Sequence, residues 1–138
     1  MRMKLIFGIL VAVMVALFAG WAWGTWSHSD TASALQTAEL RSELIGARAA
    51  TLDARVAIYS VNFGEASAHL ENARGVLRRA EDRLKGLGRA DAAAQVATAL
   101  AAIDDAQRMA GKLDQNANTR AGDAARVLAD VIQGTAQR

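Results

Sequence analysis

Two histidines and one pair of adjacent aspartates are the first residues to consider for chemistry. A protein metal site needs three or four converging ligands, but His28 and His69 are far apart and only Glu65 precedes His69 by one helical turn. Asp104 and Asp105 are neighbours, so on a helix their side chains point about 100° apart and do not converge for acid–base work. The sequence therefore predicts no catalytic residue, no metal site and no bound cofactor.

Motifs and charge argue against further classes of function. The chain has no cysteine, and it contains no phosphate-binding loop, nucleophile elbow or zinc-binding helix motif. Of its 16 basic residues all but Arg2 and Lys4 follow position 26, and these are balanced by 14 acidic residues. A nucleic-acid-binding domain usually carries a clear basic excess. We therefore expect neither an enzyme nor a nucleic-acid-binding protein.

An uncharged apolar segment covers residues 5–26. A helix of this length rises about 33 Å, enough to cross a hydrocarbon core of about 30 Å. Arg2 and Lys4 precede it, so the positive-inside rule places the N-terminus in the cytoplasm. The prediction is a bacterial inner-membrane protein with three parts: a cytoplasmic N-terminus at 1–4, a transmembrane helix at 5–26 and a periplasmic helical domain at 27–138.

A cleaved signal peptide is the alternative interpretation of this segment. Ala22 and Gly24 flank Trp23 as a small-x-small cleavage pattern requires. The apolar run is longer than a usual signal sequence, however, and its end is rich in tryptophan, whose ring settles at membrane interfaces. The predicted interface belt consists of Trp21, Trp23 and Trp26.

Small residues recur every four positions within the predicted span. Such a stripe lets another membrane helix approach closely, so we expect a packing face toward other membrane-protein subunits or toward a second copy of the chain. The predicted packing residues are Gly8, Ala12, Ala16, Gly20 and Gly24.

The remaining chain has the pattern of long helices. It lacks proline and is rich in alanine, which favours helix. Apolar residues recur in alternating steps of four and three, as in a coiled-coil seam. This series is Ile45, Ala49, Leu52, Val56, Tyr59, Phe63, Ala66, Leu70, Ala73, Leu77, Ala80, Leu84 and Leu87.

The unbroken seam predicts an all-α fold in which the transmembrane helix is followed by a long antiparallel helical hairpin. The first helix would end near Gly86 and Gly88, and the second would start near Asp91. The alternative is a bundle of three or four helices. It would follow if the chain breaks at residues 62–64 and again within the weakly helix-forming stretch 116–123.

One segment carries a resemblance to known proteins. Its residues are Tyr59, Ser60, Val61, Asn62, Phe63, Gly64 and Glu65, followed by His69, Leu70 and Glu71. With the arrangement of anchor and helices, it resembles uncharacterised single-pass helical bacterial proteins and the accessory subunits of photosynthetic core complexes. The resemblance implies a structural subunit.

Two functional hypotheses remain. The first is a non-catalytic accessory or scaffolding subunit of a larger inner-membrane complex, such as a photosynthetic reaction centre with its light-harvesting proteins. The second is a membrane-tethered periplasmic sensor or ligand-binding module, because tethered helical bundles also bind external molecules.

Overall fold

The computed structural model describes the backbone of residues 2–136 and the side chains of Met14 and residues 32–135. Four helices account for its regular structure: α1 (Arg2–Tyr59), α2 (Phe63–Gly86), α3 (Ala90–Ala110) and α4 (Ala117–Ala136). No strand occurs between residues 2 and 136. The prediction of an all-α protein is confirmed.

The chain forms two compact units, Met1–Thr37 and Ala38–Arg138. Among the described side chains, no helix is long and apolar enough to cross a membrane. The side chains of the span predicted at 5–26, apart from Met14, lie outside the described ones. The same holds for His28, the predicted packing residues (Gly8, Ala12, Ala16, Gly20 and Gly24) and the predicted interface belt (Trp21, Trp23 and Trp26).

The second unit is an up-down-up-down bundle of residues 38–59 of α1 with α2, α3 and α4. Each helix packs antiparallel to its two neighbours, because residues near a shared loop or helix end contact each other and the contacts between consecutive helices move away from that loop together. The contacts that fix this order are Glu39 with Arg83, Arg74 with Asp104, Arg55 with Asn118, and the groove shared by Ala90 and Gly134. The α1–α2 and α3–α4 loops therefore lie at one end of the bundle.

The predicted unbroken first helix is wrong, because α1 ends at Tyr59 and α2 begins at Phe63. Asn62 starts the new helix: its Oδ1 accepts from the Glu65 backbone N–H at 3.3 Å and its Nδ2 donates to Glu65 Oε2 at 2.7 Å. The N-cap bond stabilises a helix start, so Asn62 begins a new helix within a segment that the heptad pattern predicts to be continuous. The alternative prediction of a helical bundle is the observed one, and its helices follow each other as antiparallel hairpins.

The second break also differs in position from the prediction. We expected it within residues 116–123, but α3 ends at Ala110 and α4 begins at Ala117. Asp114 prepares the new helix by accepting the Asn116 backbone N–H on Oδ1 at 2.9 Å. The weakly helix-forming residues after 117 are then held in helix by packing, which commonly overrides propensity.

The predicted seam is confirmed from Phe63 to Leu84, whereas Leu87, its predicted last member, follows α2 and is 43% exposed. The members on α2 are buried, and leucine alternates with alanine along the face, which lets neighbouring helices approach closely. Each buried leucine contributes about 1.5–3 kcal/mol relative to an exposed one. The buried residues of this face are Phe63, Ala66, Leu70, Ala73, Leu77, Ala80 and Leu84.

The seam predicted along α1 is wrong. Val56 is 66% exposed, Tyr59 is 82% exposed and Leu52 is half-buried. The buried series instead includes a threonine, whose hydroxyl donates to the Ala47 carbonyl at 2.8 Å and so needs no partner elsewhere. The buried face of α1 consists of Leu40, Leu44, Ala47, Ala50, Thr51, Ala54, Ala57 and Ile58.

Candidate functional site

The residues first considered for chemistry do not form a site. Asp104 Oδ1 lies 3.5 Å from Arg74 Nη1 on α2, whereas Asp105 pairs with Arg108 on its own helix. The two carboxylates therefore point apart, as predicted. His69 Nε2 lies 3.7 Å from Glu65 Oε1. Within the described part of the chain, no group of three or more histidine, cysteine or acidic side chains could hold a metal ion.

Three helices end in the same hydrogen-bonded motif, in which one residue adopts the left-handed backbone conformation. After α1, Val61 N–H donates to the Ile58 carbonyl and Asn62 N–H donates to the Ala57 carbonyl. The ends of α2 and α3 repeat this pattern around Gly88 and Leu113. These bonds define a Schellman motif, whose left-handed position is usually glycine.

Only one of the three left-handed positions is glycine. Gly88 has φ of 70°, but Val61 and Leu113 hold φ of 60° and 57°. A non-glycine residue in this region costs about 1–3 kcal/mol, and a β-branched side chain such as valine is an outlier there. Two of the helix ends are therefore built with a residue that the local backbone disfavours.

These two disfavoured residues are also exposed and apolar. Val61 is 64% exposed and Leu113 is 69% exposed. Their loops lie at the same end of the bundle, where the last residue of α1 adds an exposed Tyr59. We name Tyr59, Val61 and Leu113 the apolar tip. Backbone strain of this kind clusters at functional sites, so the apolar tip is a candidate contact surface.

Hydrogen bonds hold both loops of the apolar tip in place. Asn62 and Glu65 bond reciprocally beside Val61, and Asp114 caps the chain immediately after Leu113. The main-chain bonds of both motifs are 2.8–3.0 Å long. The tip is therefore presented by closed turns rather than by long open loops.

A second exposed apolar surface lies on α1 and contains the residues that we had assigned to a buried seam. Ile45 is 49% exposed, Val56 is more so, and Ala49 is exposed beside the half-buried Leu52. We name Ile45, Ala49, Leu52 and Val56 the outer stripe. The heptad spacing in this part of the sequence is real, but it marks an outward face in the bundle.

A groove between α1 and α4 adjoins the outer stripe. It has a volume of about 440 Å³ and is lined by three arginines together with Asn118 and Gly122. Arg55 Nε donates to Asn118 Oδ1 at 2.9 Å, and a Cβ at Gly122 would lie 3.3 Å from Arg55 Cζ. The glycine thus lets this guanidinium lie close against α4. Arg48 and Arg126 supply the other two positive charges, and Asp123 supplies one negative charge, with its Oδ1 3.4 Å from Arg126 Nη1.

Sequence reasoning missed the apolar tip and the arginine groove. An apolar residue placed directly between a helix end and an N-cap, as Val61 is before Asn62, is a signal that could have identified the first. The seven-residue spacing of Arg48 and Arg55 could have indicated the second, because it places both side chains on one face of α1.

Comparison with known proteins gives no further guide to function. The chain matches no described protein family, no curated protein and no solved structure.

Proposed function

We propose that this protein is a non-catalytic accessory subunit of a bacterial inner-membrane complex, and that it contacts the other subunits through the apolar tip. In this proposal residues 5–26 span the membrane, residues 1–4 are cytoplasmic and the bundle lies in the periplasm. The partners are other membrane-protein subunits and the lipid bilayer.

One observation carries the proposal. Val61 and Leu113 are exposed apolar side chains at two left-handed positions where glycine would fit without strain. Neither side chain belongs to the hydrophobic core, so their exposure at strained positions needs another reason. Burial against a protein partner would remove the exposed part of both side chains from water, which favours association.

The sequence supports the membrane anchor. Residues 5–26 carry no charge and suffice to span a bilayer, and both basic residues before them favour a cytoplasmic N-terminus. The stripe from Gly8 to Gly24 would offer a second contact, within the membrane, to the same complex.

Photosynthetic core complexes are the first assemblies to examine for such a partner. The reason is the resemblance of Tyr59–Glu65 to their accessory subunits, and Tyr59 and Val61 belong to both that segment and the apolar tip. The resemblance concerns the kind of subunit and assigns no pigment or cofactor to this chain.

The test is extraction of the tagged full-length chain from native membranes in mild detergent, followed by native electrophoresis and mass spectrometry. We expect co-migration with a defined complex in a fixed ratio. The double variant Val61→Asn/Leu113→Asn should remain folded, because asparagine tolerates the left-handed conformation, but should no longer co-migrate.

The matched control is Leu87→Asn, which replaces an exposed apolar residue at the opposite end of the bundle. It should leave co-migration unchanged. The proposal is wrong if the wild-type chain migrates alone or only with itself, or if the tip variant stays in the complex.

The arginine groove favours a second candidate, a periplasmic ligand-binding or sensor module. Arg48, Arg55 and Arg126 line the groove together with one acidic residue, Asp123, so the lining keeps a net positive charge. Guanidinium groups pair with carboxylates and phosphates. A bound anion at a hundred times its Kd would stabilise the chain by about 2.7 kcal/mol. If neither phosphate nor small dicarboxylates raise the Tm, or if Arg126→Gln leaves such a rise unchanged, this candidate fails.

A further inference from the structure

The outer stripe is an apolar surface with heptad spacing on the outward side of α1. Its residues follow each other in steps of four and three, the pattern by which one helix packs along another. Ser42 continues the same series toward the start of the bundle, and it too is exposed. The surface therefore has the length and the spacing to receive a second helix.

The two sides of the outer stripe carry opposite charges. Arg41, Arg48 and Arg55 recur every seven residues along one side, which faces α4, because Arg48 Nε donates to the Ala125 carbonyl there at 3.2 Å. Glu39 and Asp53 lie along the other side, which faces α2, because Glu39 pairs with Arg83 there.

This charge pattern selects one direction for a copy of the same helix. In a parallel pair of helices, a residue on the first flank faces the residue five positions later on the opposite flank of its partner. Arg48 and Asp53 have this separation. In an antiparallel pair the basic flanks would face each other, and like charges in contact disfavour association.

We infer that a second copy of this chain packs in parallel along the outer stripe, with Arg48 of each copy paired to Asp53 of the other. A twofold interface forms every contact twice, so two such ion pairs border the apolar contact. The inference goes beyond the proposed function, because it uses none of the residues of the apolar tip.

The atoms that the pair needs are not engaged elsewhere in the bundle. Of the three guanidinium nitrogens of Arg48, only Nε has a partner among the described residues, so both Nη groups remain for a carboxylate. Asp53 is exposed, and its carboxylate forms no hydrogen bond or ion pair with any described residue. Gly46 adjoins the stripe, and a Cβ there would meet no atom within 4 Å. The bundle itself does not require that glycine, whereas a second helix approaching closely would benefit from it.

Charge reversal tests the pairing. We expect sedimentation of the full chain in mild detergent to show a dimer for the wild type. Asp53→Arg should raise the dimer Kd about tenfold or more, because it places two arginines opposite each other at both symmetric contacts. The double variant Arg48→Glu/Asp53→Arg should restore dimerisation, whereas Arg48→Glu alone should weaken it.

Crosslinking tests the direction. The chain has no native cysteine, so single cysteines can be placed on the stripe at Ser42→Cys and Val56→Cys. These sites lie about 21 Å apart along the helix, and only a parallel pair brings each next to its own counterpart. Both variants should form disulfide-linked dimers on mild oxidation, while the exposed α3 control Ala97→Cys should not.

Three outcomes would overturn the inference: a monomeric wild type, failure of the double reversal to restore the dimer, or crosslinking at only one of the two stripe positions. A variant that loses binding to the membrane complex but keeps the dimer would concern the apolar tip and not the outer stripe. The two proposals are therefore distinguished by different variants and different measurements.

Discussion

Val61 and Leu113 occupy the same left-handed position of the same C-terminal motif, in two helices that end on one side of the bundle. Their φ angles, 60° and 57°, are close to the 70° of Gly88, which ends the helix at the other side. The three turns therefore have the same backbone conformation. At the left-handed position, two of them expose an apolar side chain, whereas the turn at Gly88 has no side chain there.

Replacing the two disfavoured residues by glycine should stabilise the bundle. Val61→Gly is expected to raise the free energy of unfolding by about 1 kcal/mol, because glycine adopts positive φ without strain. The gain for Leu113→Gly should be smaller, since leucine is not β-branched. Urea unfolding followed by circular dichroism measures both. A loss of stability in both variants would show that the apolar side chains support the fold itself.

Gly88 provides the complementary variant. Gly88→Ala introduces a side chain at φ of 70° where no atom lies within 4 Å, so backbone strain is the main effect. We expect a loss of about 1 kcal/mol in the same unfolding measurement. An unchanged unfolding midpoint would mean that left-handed strain is tolerated in these turns without cost.

Leu44 and Ile45 are neighbouring residues with isomeric side chains. Leu44 belongs to the observed core of α1, whereas Ile45 belongs to the predicted one. Leu44 is completely buried and Ile45 is half exposed. Leu44→Ala should lower the free energy of unfolding by about 2–5 kcal/mol, through lost burial and the cavity left behind. Ile45→Ala should change it by less than about 0.5 kcal/mol. Both unfolding free energies are measured at a dilution where the chain is monomeric. A larger loss for Ile45→Ala than for Leu44→Ala would show that the predicted seam through Ile45 forms the core.

The helical class and the α2 core could be predicted because they depend on local composition and on one uninterrupted face, from Phe63 to Leu84. The α1 core could not, for two physical reasons. Thr51 looks polar in the sequence, yet its hydroxyl is satisfied within its own helix. Asn62 starts a new helix, so the heptad position of a residue in α1 does not determine the buried face of α2. The unbroken spacing across the two helices is therefore misleading.

The apolar tip was missed for a different reason. The position of Val61 before the N-cap residue Asn62 is a local signal, but only the backbone shows that Val61 and Leu113 both sit at left-handed positions. Their arrival at one end of the bundle depends on helix order and direction. These follow from long-range contacts such as Arg55 with Asn118, which periodicity does not encode.

Two glycines of α4 should respond differently to alanine. A Cβ at Gly134 would meet no atom within 4 Å, whereas a Cβ at Gly122 would lie 3.3 Å from Arg55 Cζ. Gly134→Ala should therefore stabilise the bundle by about 0.5–1 kcal/mol through helix propensity alone. Gly122→Ala should gain less, because the Arg55 guanidinium must move. Equal gains in thermal unfolding would show that this guanidinium shifts freely.

The Lys85 ammonium provides a prediction for alkaline pH. Its hydrogen bond to Glu81, at 2.5 Å, and the charge of that carboxylate raise the pKa of Lys85 above its ordinary value. A raised pKa in the folded state means that the pair stabilises the bundle fully below the unfolded-state pKa of about 10.4. This stabilisation is lost as the pH rises through the higher pKa of the folded state.

Glu81→Gln should lower the pKa of Lys85 and remove that stabilisation at neutral pH. The unfolding free energies of the wild type and the variant should converge in strong alkali. Titration of the Lys85 side chain by NMR measures the shift directly, and an unchanged pKa in the variant would rule out Glu81 as its cause.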